Sequence, residues 1–356
     1  MNHRVAIVGA GVSGLTCGVV FAERGHRTAI FTKEIGQQTT SAAAAALWFP
    51  YDVEPANKVI PWALETFRVL VDLAHDSESG VSMIELRQFS RTKEIQIPDW
   101  AIPLGAQSVI PSPSISLGTG FVENRAAAET AIWTGRPESE RTGSERITAP
   151  NERSAEFASG FALNVPLMDT TIYLDYLANR FLKADGEIAE NVRFEKLEDV
   201  DPKFDLVINC AGIGARELVH DGDLKPHRGQ VAVVPRIKDF PYAVVCDDAP
   251  LMYAIPRTDD CVFGGTNELS DDLAVDSATT ARIVTECSRA LKIQKPNILA
   301  ERVGLRPFRK SGVRVERAHL RDGRTVVHDY GHGGSGFTLS WGCAQEVFEL
   351  GTDSAG

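Results

Sequence analysis

Val5-Ala6-Ile7-Val8-Gly9-Ala10-Gly11-Val12-Ser13-Gly14 decides how this chain is read. Four apolar residues run straight into G-x-G-x-x-G, and an apolar helix, Leu15 to Ala22, follows and ends at Gly25. A buried parallel strand that turns sharply into a helix uses each glycine differently. Gly9 allows the tight turn, Gly11 lets backbone approach a pyrophosphate, and Gly14 lets helix and strand pack closely. The helix N-terminus then aims unpaired N–H groups at the phosphates. A second strand, Thr28-Ala29-Ile30-Phe31-Thr32, closes the unit. Glu34 sits just past its end, with Lys33 nearer the strand, and an acid there accepts hydrogen bonds from a ribose. The pattern predicts a dinucleotide-binding βαβ unit rather than a plain glycine-rich turn.

The remaining composition narrows the class. The chain has 356 residues, enough for two domains, with 43% hydrophobic and 24% charged residues. The formal net charge of -11 argues against a nucleic-acid partner or an anionic membrane surface. No apolar run is long enough to span a bilayer. The N-terminus enters a strand directly, leaving no room for a signal peptide, and the C-terminus carries no Ser-Lys-Leu address. The six cysteines are scattered without a C-x-x-C pair, so neither a disulfide framework nor a metal site is expected, and a reducing cytoplasm is.

Further along, the hydroxyls of Thr39, Thr40 and Ser41 precede the small residues Ala42 to Ala46. This is either a capped helix or a segment whose small side chains admit a flat ring. Lys58 to Ala74 reads as an amphipathic helix and Met83 to Ile97 as short strands. Pro111 to Ala155 lacks apolar periodicity and reads as a flexible insertion without a catalytic role, with a lid as the functional alternative. Gly160 to Pro166 is a strand, Asp169 to Leu182 a helix capped by Asp169 or Thr170, and Val192 to Phe194 a short strand. Phe204 to Gly212 is a buried strand ending in small residues. Gly229 to Pro235, Ala243 to Cys246, Leu251 to Ile255 and Cys261 to Gly264 read as an antiparallel sheet. Ser277 to Leu291 is a helix, Val303 to Arg309 a strand end and turn, and Thr325 to Tyr330 a strand. A second glycine-rich turn, Gly331 to Thr338, precedes a helix from Trp341 to Leu350.

Several of these segments together resemble the D-amino-acid oxidase family of flavoproteins. They are Val8 to Gly14, Thr39-Thr40-Ser41 with Ala46-Leu47-Trp48, Val165 to Thr170, and Asn209-Cys210-Ala211-Gly212. To these add Tyr253-Ala254-Ile255-Pro256, Gly264-Gly265-Thr266, Gly304-Leu305-Arg306-Pro307-Phe308-Arg309, and Tyr330 to Thr338 with Trp341-Gly342. The resemblance spans nearly the whole chain outside the insertion. It implies an α/β fold with a discontinuous Rossmann-like FAD-binding domain (1–50, 160–220 and 300–356). A second α+β substrate domain on a mixed or antiparallel sheet would take 51–159 and 221–299. FAD would be held non-covalently between them.

Position by position, the resemblance places Gly9, Gly11, Val12, Ser13 and Gly14 at the pyrophosphate, and Glu34 at the ribose. Thr39, Thr40, Ser41, Ala46 and Leu47 would contact the cofactor and flavin edge, with Phe194, Cys210, Ala211 and Gly212 on the adenine side. Gly333, Gly334, Ser335, Gly336, Phe337 and Thr338 would surround the flavin pyrimidine edge. Arg306, which also meets the cofactor, and Tyr253 would bind the substrate α-carboxylate, and Ser335 stands in the catalytic turn where other members carry an aromatic. A guanidinium forks onto a carboxylate, and a phenol adds one more hydrogen bond. The amino acid would then present its Cα–H to flavin N5 for hydride transfer. Dioxygen would yield hydrogen peroxide, and the imino acid a 2-oxo acid and ammonia.

Phe49, Met252 and Ile255, the expected side-chain pocket, are uncharged, which points to neutral or apolar D-amino acids. The lid tyrosine of mammalian members has no counterpart in Asp247-Asp248-Ala249-Pro250, so bacterial-type members look nearer. Alternatives are a glycine or sarcosine oxidase or a D-aspartate oxidase on the same fold, an NAD dehydrogenase, and a non-catalytic flavin binder. The expected partners are a D-amino acid and dioxygen, with a homo-oligomer left open.

Overall fold

The computed structural model describes residues 2–51, 53–109 and 157–353; the expected insertion, Pro111 to Ala155, lies outside them. Strand β1 (Arg4–Val8), helix α1 (Val12–Glu23) and β2 (Arg27–Phe31) form the expected opening unit. Helix α2 (Ala56–Leu73) leads to β3 (Val81–Ser90) and β4 (Gln107–Val109). After the undescribed stretch come β5 (Ser159–Met168), α3 (Thr170–Lys183), β6 (Glu187–Ala189), β7 (Leu206–Asn209) and the short α4 (Ala215–Leu218). Five strands follow: β8 (Leu224–Pro235), β9 (Tyr242–Cys246), β10 (Met252–Pro256), β11 (Asp260–Gly264) and β12 (Glu268–Leu269). Helix α5 (Ser277–Leu291), β13 (Ala300–Arg309), β14 (Arg314–His319), β15 (Thr325–Tyr330) and α6 (Gly336–Thr352) complete the chain.

Two sheets result. The smaller runs β14-β15-β7-β1-β2-β6 and is parallel except at β14. The larger runs β12-β8-β11-β10-β9-β3-β5-β4, with β13 also paired to β8, and is antiparallel except where β3 meets β9. Val5, Ala6 and Ile7 are fully buried because helices cover one face of the small sheet and an apolar layer with Leu197, Phe204 and Leu320 covers the other. Helix α1 is buried at almost every position from Val12 to Ala22, since it lies between β1, α3 and α6. Asp169 caps α3, its Oδ1 accepting from Thr171 N at 3.0 Å. Asp276 caps α5 in the same way, accepting from Ala278 N and Thr279 N.

Several expectations change. Val192 to Phe194 is not a strand; it is an extended loop tied by Val192 N donating to Thr32 O at 2.9 Å, and the strand lies earlier, at β6. Met83 to Ile97 is one long strand followed by loop, because β3 is held along its length by β5. Val303 to Arg309 is the body of a ten-residue strand, paired throughout with β8; Pro307 faces Pro226 there. Helix α6 begins at Gly336, five residues before the expected start. The strands β5 and β13, expected within the nucleotide half, are hydrogen-bonded in the larger sheet.

The seam between β7 and β15 carries a buried histidine paired with a side-chain amide. Asn209 Nδ2 donates to His328 Nδ1 at 3.3 Å. Burial chiefly, with Arg314 nearby, lowers the His328 pKa from 6.5 to about 4. Below pH 6.5 the unfolded chain takes up a proton that the folded chain refuses until about pH 4. Stability is therefore full above 6.5 and falls through that window by about 1.4 kcal/mol per pH unit. Urea midpoints at pH 7 and 4.5 should converge more closely for His328→Gln than for the parent. An equal acid loss in both would show that another group carries it.

Candidate active site

A cavity of about 1110 Å³ opens between the carboxyl ends of β1, β2 and β7 and one face of the large sheet. At its small-sheet end the turn is drawn tight. Gly9 has φ +107, and a Cβ there would stand 2.4 Å from Cys210 O. Gly9, Gly11, Val12 and Ser13 line the cavity. The first turn of α1 carries no acidic residue and its N-cap, Gly11, has no side chain to satisfy the free amides, so an anion is the natural partner. Ser41 Oγ accepts from Val12 N at 3.0 Å, which brings the hydroxyl segment onto the turn. Glu34, Phe194, Cys210, Ala211 and Gly212 line the same end. Phe194 sets its edge against Phe31 at 5.6 Å, and Glu34 pairs with Lys33 at 2.7 Å. Burial pushes the Cys210 thiol pKa well up, so it stays uncharged.

The alanine segment forms no α-helix. A 3-10 turn spans Thr40–Ala43, and the chain then runs extended. Met168 N donates to Ala46 O and Trp48 N to Pro166 O, which staples the segment to β5. Ala46 takes φ 53, a left-handed conformation that a small side chain tolerates best. As a result Thr39, Thr40, Ser41, Ala43 to Ala46, Leu47 and Phe49 all face the cavity.

At the large-sheet end stand Arg306 on β13 and Tyr253 on β10. Two strand glycines make their seats. A Cβ on Gly264, opposite Tyr253 in register, would come within 2.0 Å of the phenol ring, and one on Gly229 within 2.6 Å of the guanidinium. Arg306 Nη1 donates to Thr266 O at 2.8 Å, and Thr266 Oγ1 accepts from Gln230 N at 2.7 Å. Burial raises the Tyr253 pKa, opposed by Arg306, so the phenol keeps its proton and stays a donor. Val245, Leu251, Ile255 and Phe49 surround the pair with apolar surface.

The second glycine turn closes the floor. Gly331 and Gly333 take positive φ, and Gly333 N donates to Pro307 O at 2.9 Å. Gly333, Gly334, Gly336 and Phe337 line the cavity. His332 Nε2 donates to Asp329 Oδ1 at 3.0 Å, and the thiols of Cys17 and Cys210 donate to Asp329 Oδ2, each at 3.6 Å. The buried carboxylate is thereby shared among three donors.

Four expected site residues lie elsewhere. Met252 is fully buried beneath α5, because side chains alternate along β10 and only Tyr253 and Ile255 share the cavity face. Ser335 is off the cavity lining; its Oγ donates to Tyr51 O at 2.7 Å and accepts from Tyr51 N at 3.0 Å. Thr338 Oγ1 treats Phe49 the same way, at 3.1 Å in each direction. Gly14 packs against Gly9, a Cβ there meeting Gly9 O at 1.9 Å, and supports the turn without lining it. Conversely, Gly229, Gly264 and Thr266 shape the site without having been assigned a place in it. Asp247 lines the cavity unanticipated.

A family model described as FAD dependent oxidoreductase matches residues 4–350. A D-amino-acid oxidase of Streptomyces coelicolor is 35% identical over 98% of this chain and 97% of its own length. The chain belongs to the D-amino-acid oxidase family. A human D-aspartate oxidase is 30% identical over 98% of this chain and 94% of its own length. Among solved structures, a glycine oxidase from Geobacillus kaustophilus shares the fold, with a TM-score of 0.72 at 16% identity, covering 98% of this chain and 95% of that one. Like the family, the chain is an FAD-dependent oxidoreductase.

The cavity fits that cofactor on three counts. Its lining extends from Phe31 and Phe194 at one end to Tyr253 at the other. The anion-seeking start of α1 lies along it. The alanine segment and the Gly333–Gly334 turn leave it flanked by backbone and small side chains, as a flat ring requires. Among the described residues no helix is long and apolar enough to cross a membrane.

Proposed function

We propose that this chain is an oxidase of neutral, chiefly apolar D-amino acids, producing a 2-oxo acid, ammonia and hydrogen peroxide. One observation carries the reading. Arg306 and Tyr253 stand side by side over Gly229 and Gly264, at the large-sheet end of a cavity whose other end is a dinucleotide turn. The small sheet would serve the nucleotide half and the large sheet the substrate half. Gly9, Gly11 and Ser13 would meet the pyrophosphate, Glu34 the ribose, and Thr40 to Leu47 with Gly333 to Phe337 the ring. A flavin held there would supply a two-electron acceptor for the substrate Cα–H bond and a route from it to dioxygen, chemistry that no side chain here supplies.

The chain's own residues position and exclude. Arg306 forks onto the α-carboxylate while Thr266 O holds its other edge. Tyr253 donates its phenol proton to the same carboxylate and, being protonated, adds no competing charge. Two anchors fix which face of Cα meets the ring, and alignment then does most of the work. Phe49, Val245, Leu251 and Ile255 receive the side chain and keep water from it. The buried free thiols fit a reducing cytoplasm.

The test is anaerobic mixing of the purified holoenzyme with D- and L-amino acids and glycine while flavin absorbance is followed. Bleaching by D-alanine, D-valine or D-phenylalanine, reversed by air with release of peroxide, is the expected result. Bleaching by glycine or sarcosine alone would move the chain to that class of amine oxidase. Preference for D-aspartate would overturn the neutral-substrate reading.

A further inference from the structure

Buried sulfur collects beneath the opening glycine turn, and the flavin chemistry makes no use of it. Cys17 on α1, Cys210 at the end of β7 and Asp329 on β15 are all buried, and one ligand atom from each lies within 4.8 Å of the other two. The scattered cysteines predicted no metal site, because spacing along the chain does not show which of them the fold brings together. Cys246, Cys261 and Cys287 lie apart from this group, in the apolar core of the large sheet.

The distances within the group match a coordination shell. Cys17 Sγ and Cys210 Sγ are 3.9 Å apart, and each is 3.6 Å from Asp329 Oδ2. A tetrahedral zinc ion, about 2.3 Å from sulfur and about 2.1 Å from oxygen, sets two sulfurs about 3.8 Å apart and each about 3.6 Å from the oxygen. The three atoms thus form one face of such a tetrahedron with almost no adjustment. The other carboxylate oxygen, Oδ1, takes His332 Nε2 at 3.0 Å, an outer bond of the kind that orients a metal-ligating group. Among the described residues no lysine or arginine pairs with Asp329, so the buried carboxylate has no fixed positive partner. Cys210, Asp329 and His332 line the cavity, which gives an ion its way in and a water its place at the fourth position. Cys343 on α6 lies within 4.8 Å of Asp329 and His332 and adds a third sulfur to the surroundings.

We propose that Cys17, Cys210 and Asp329 form a binding site for a thiophilic divalent cation, Zn²⁺ or its heavier relative Cd²⁺, that braces the nucleotide turn. Each thiol releases its proton to solvent as its metal–sulfur bond forms, and no electron is transferred. The two sulfurs select against Mg²⁺ and Ca²⁺, which take oxygen ligands. The link to the turn is short. A Cβ on Gly9 would meet Cys210 O at 2.4 Å, and one on Gly14 would meet Cys210 Cβ at 3.4 Å. An ion that joins Cys210 to α1 through Cys17, and to β15 through Asp329, therefore holds the base on which both glycines rest. The inference stands whichever amino acid the enzyme oxidises.

The experiment loads the holoenzyme with Zn²⁺ by dialysis, removes free metal, and measures what stays, with Cd²⁺ as the spectroscopic probe. About one ion per chain should be retained in the presence of excess Mg²⁺, and Cd²⁺ should produce the ultraviolet charge-transfer absorption of thiolate ligands. Tm should rise with Zn²⁺ and return on chelation. His332→Gln, which acts only through the outer bond, should weaken binding about 10- to 100-fold, and Cys17→Ser and Asp329→Asn should each weaken it further. Cys261→Ala, in the large-sheet core, should bind as the parent does. The parent protein decides the matter even where a variant fails to fold. Loss of all metal on dialysis, or no thiolate absorption with Cd²⁺, would overturn the site. So would Cd²⁺ absorption that persists unchanged in Cys17→Ser.

Discussion

Replacing Arg306 by methionine should lower kcat/KM for a D-amino acid by about 10²- to 10⁴-fold while the purified protein stays yellow. The size follows from what is removed. A half-buried guanidinium, anchored through Nη1 to Thr266 O, offers its remaining N–H groups to a carboxylate in a cavity. Stripping one partner from such a pair costs about 3–5 kcal/mol, and each 1.4 kcal/mol is tenfold. Flavin content is measured alongside: Arg306 reaches only the ring end of the expected cofactor site, and the turn between β1 and α1, far from β13, should keep the flavin bound. Lysine at the same position should recover only part of the loss, since an ammonium cannot fork. Turnover of D-alanine by the methionine variant within tenfold of the parent would remove Arg306 from the anchor.

Gly14→Ala should act on the other half of the molecule and abolish flavin binding. The added methyl would stand 1.9 Å from Gly9 O and 2.9 Å from Gly9 C. Both groups are backbone, so neither rotates away, and α1 must lift from β1. Overpacking typically costs 1–3 kcal/mol, and this case belongs at about 3 kcal/mol because nothing flexible absorbs it. Gly25→Ala is the matched control at the far end of the same helix. Unlike Gly14 it has positive φ, +84, and nothing lies within 4 Å of its added methyl. It should cost about 1–2 kcal/mol through the left-handed backbone alone and leave the flavin in place. Equal flavin content in both variants would mean that Gly14 does not hold the turn.

The opening turn was legible because its chemistry is local. A run of apolar residues, three spaced glycines and a helix leave one economical conformation, and β1, α1 and β2 form there. Helix α5 was equally legible, matching its expected span from Ser277 to Leu291. The errors came where neighbours decide. Met252 was grouped with Ile255, yet three residues apart on a strand means opposite faces, and period-two reasoning alone separates them. β13 contains a glycine and a proline, both poor strand residues, and becomes a ten-residue strand only because β8 lies alongside it. Ser335 and Thr338 looked like ring contacts because they stand in a glycine turn. Their hydroxyls instead bind backbone near residue 50, a pairing no local pattern announces. Asp247 was passed over because it stands in a turn rather than a recognisable motif.

The clasp between those hydroxyls and the early chain also sets an order of events. Tyr51 receives Ser335 from 284 residues later, and Phe49 receives Thr338 from 289 residues later. At 5–20 residues per second, a ribosome needs about 15–60 s to travel between the two ends of that clasp. The glycine turn after β1 is among the first parts of the chain to be made, whereas the wall that Phe49 and Tyr51 share with α6 waits for nearly the last. A chain halted after β15 would hold every strand of both sheets and still lack the piece that locks its cavity. Capture of the cofactor should thus wait for the close of translation, and a chain truncated after Tyr330 should purify without colour.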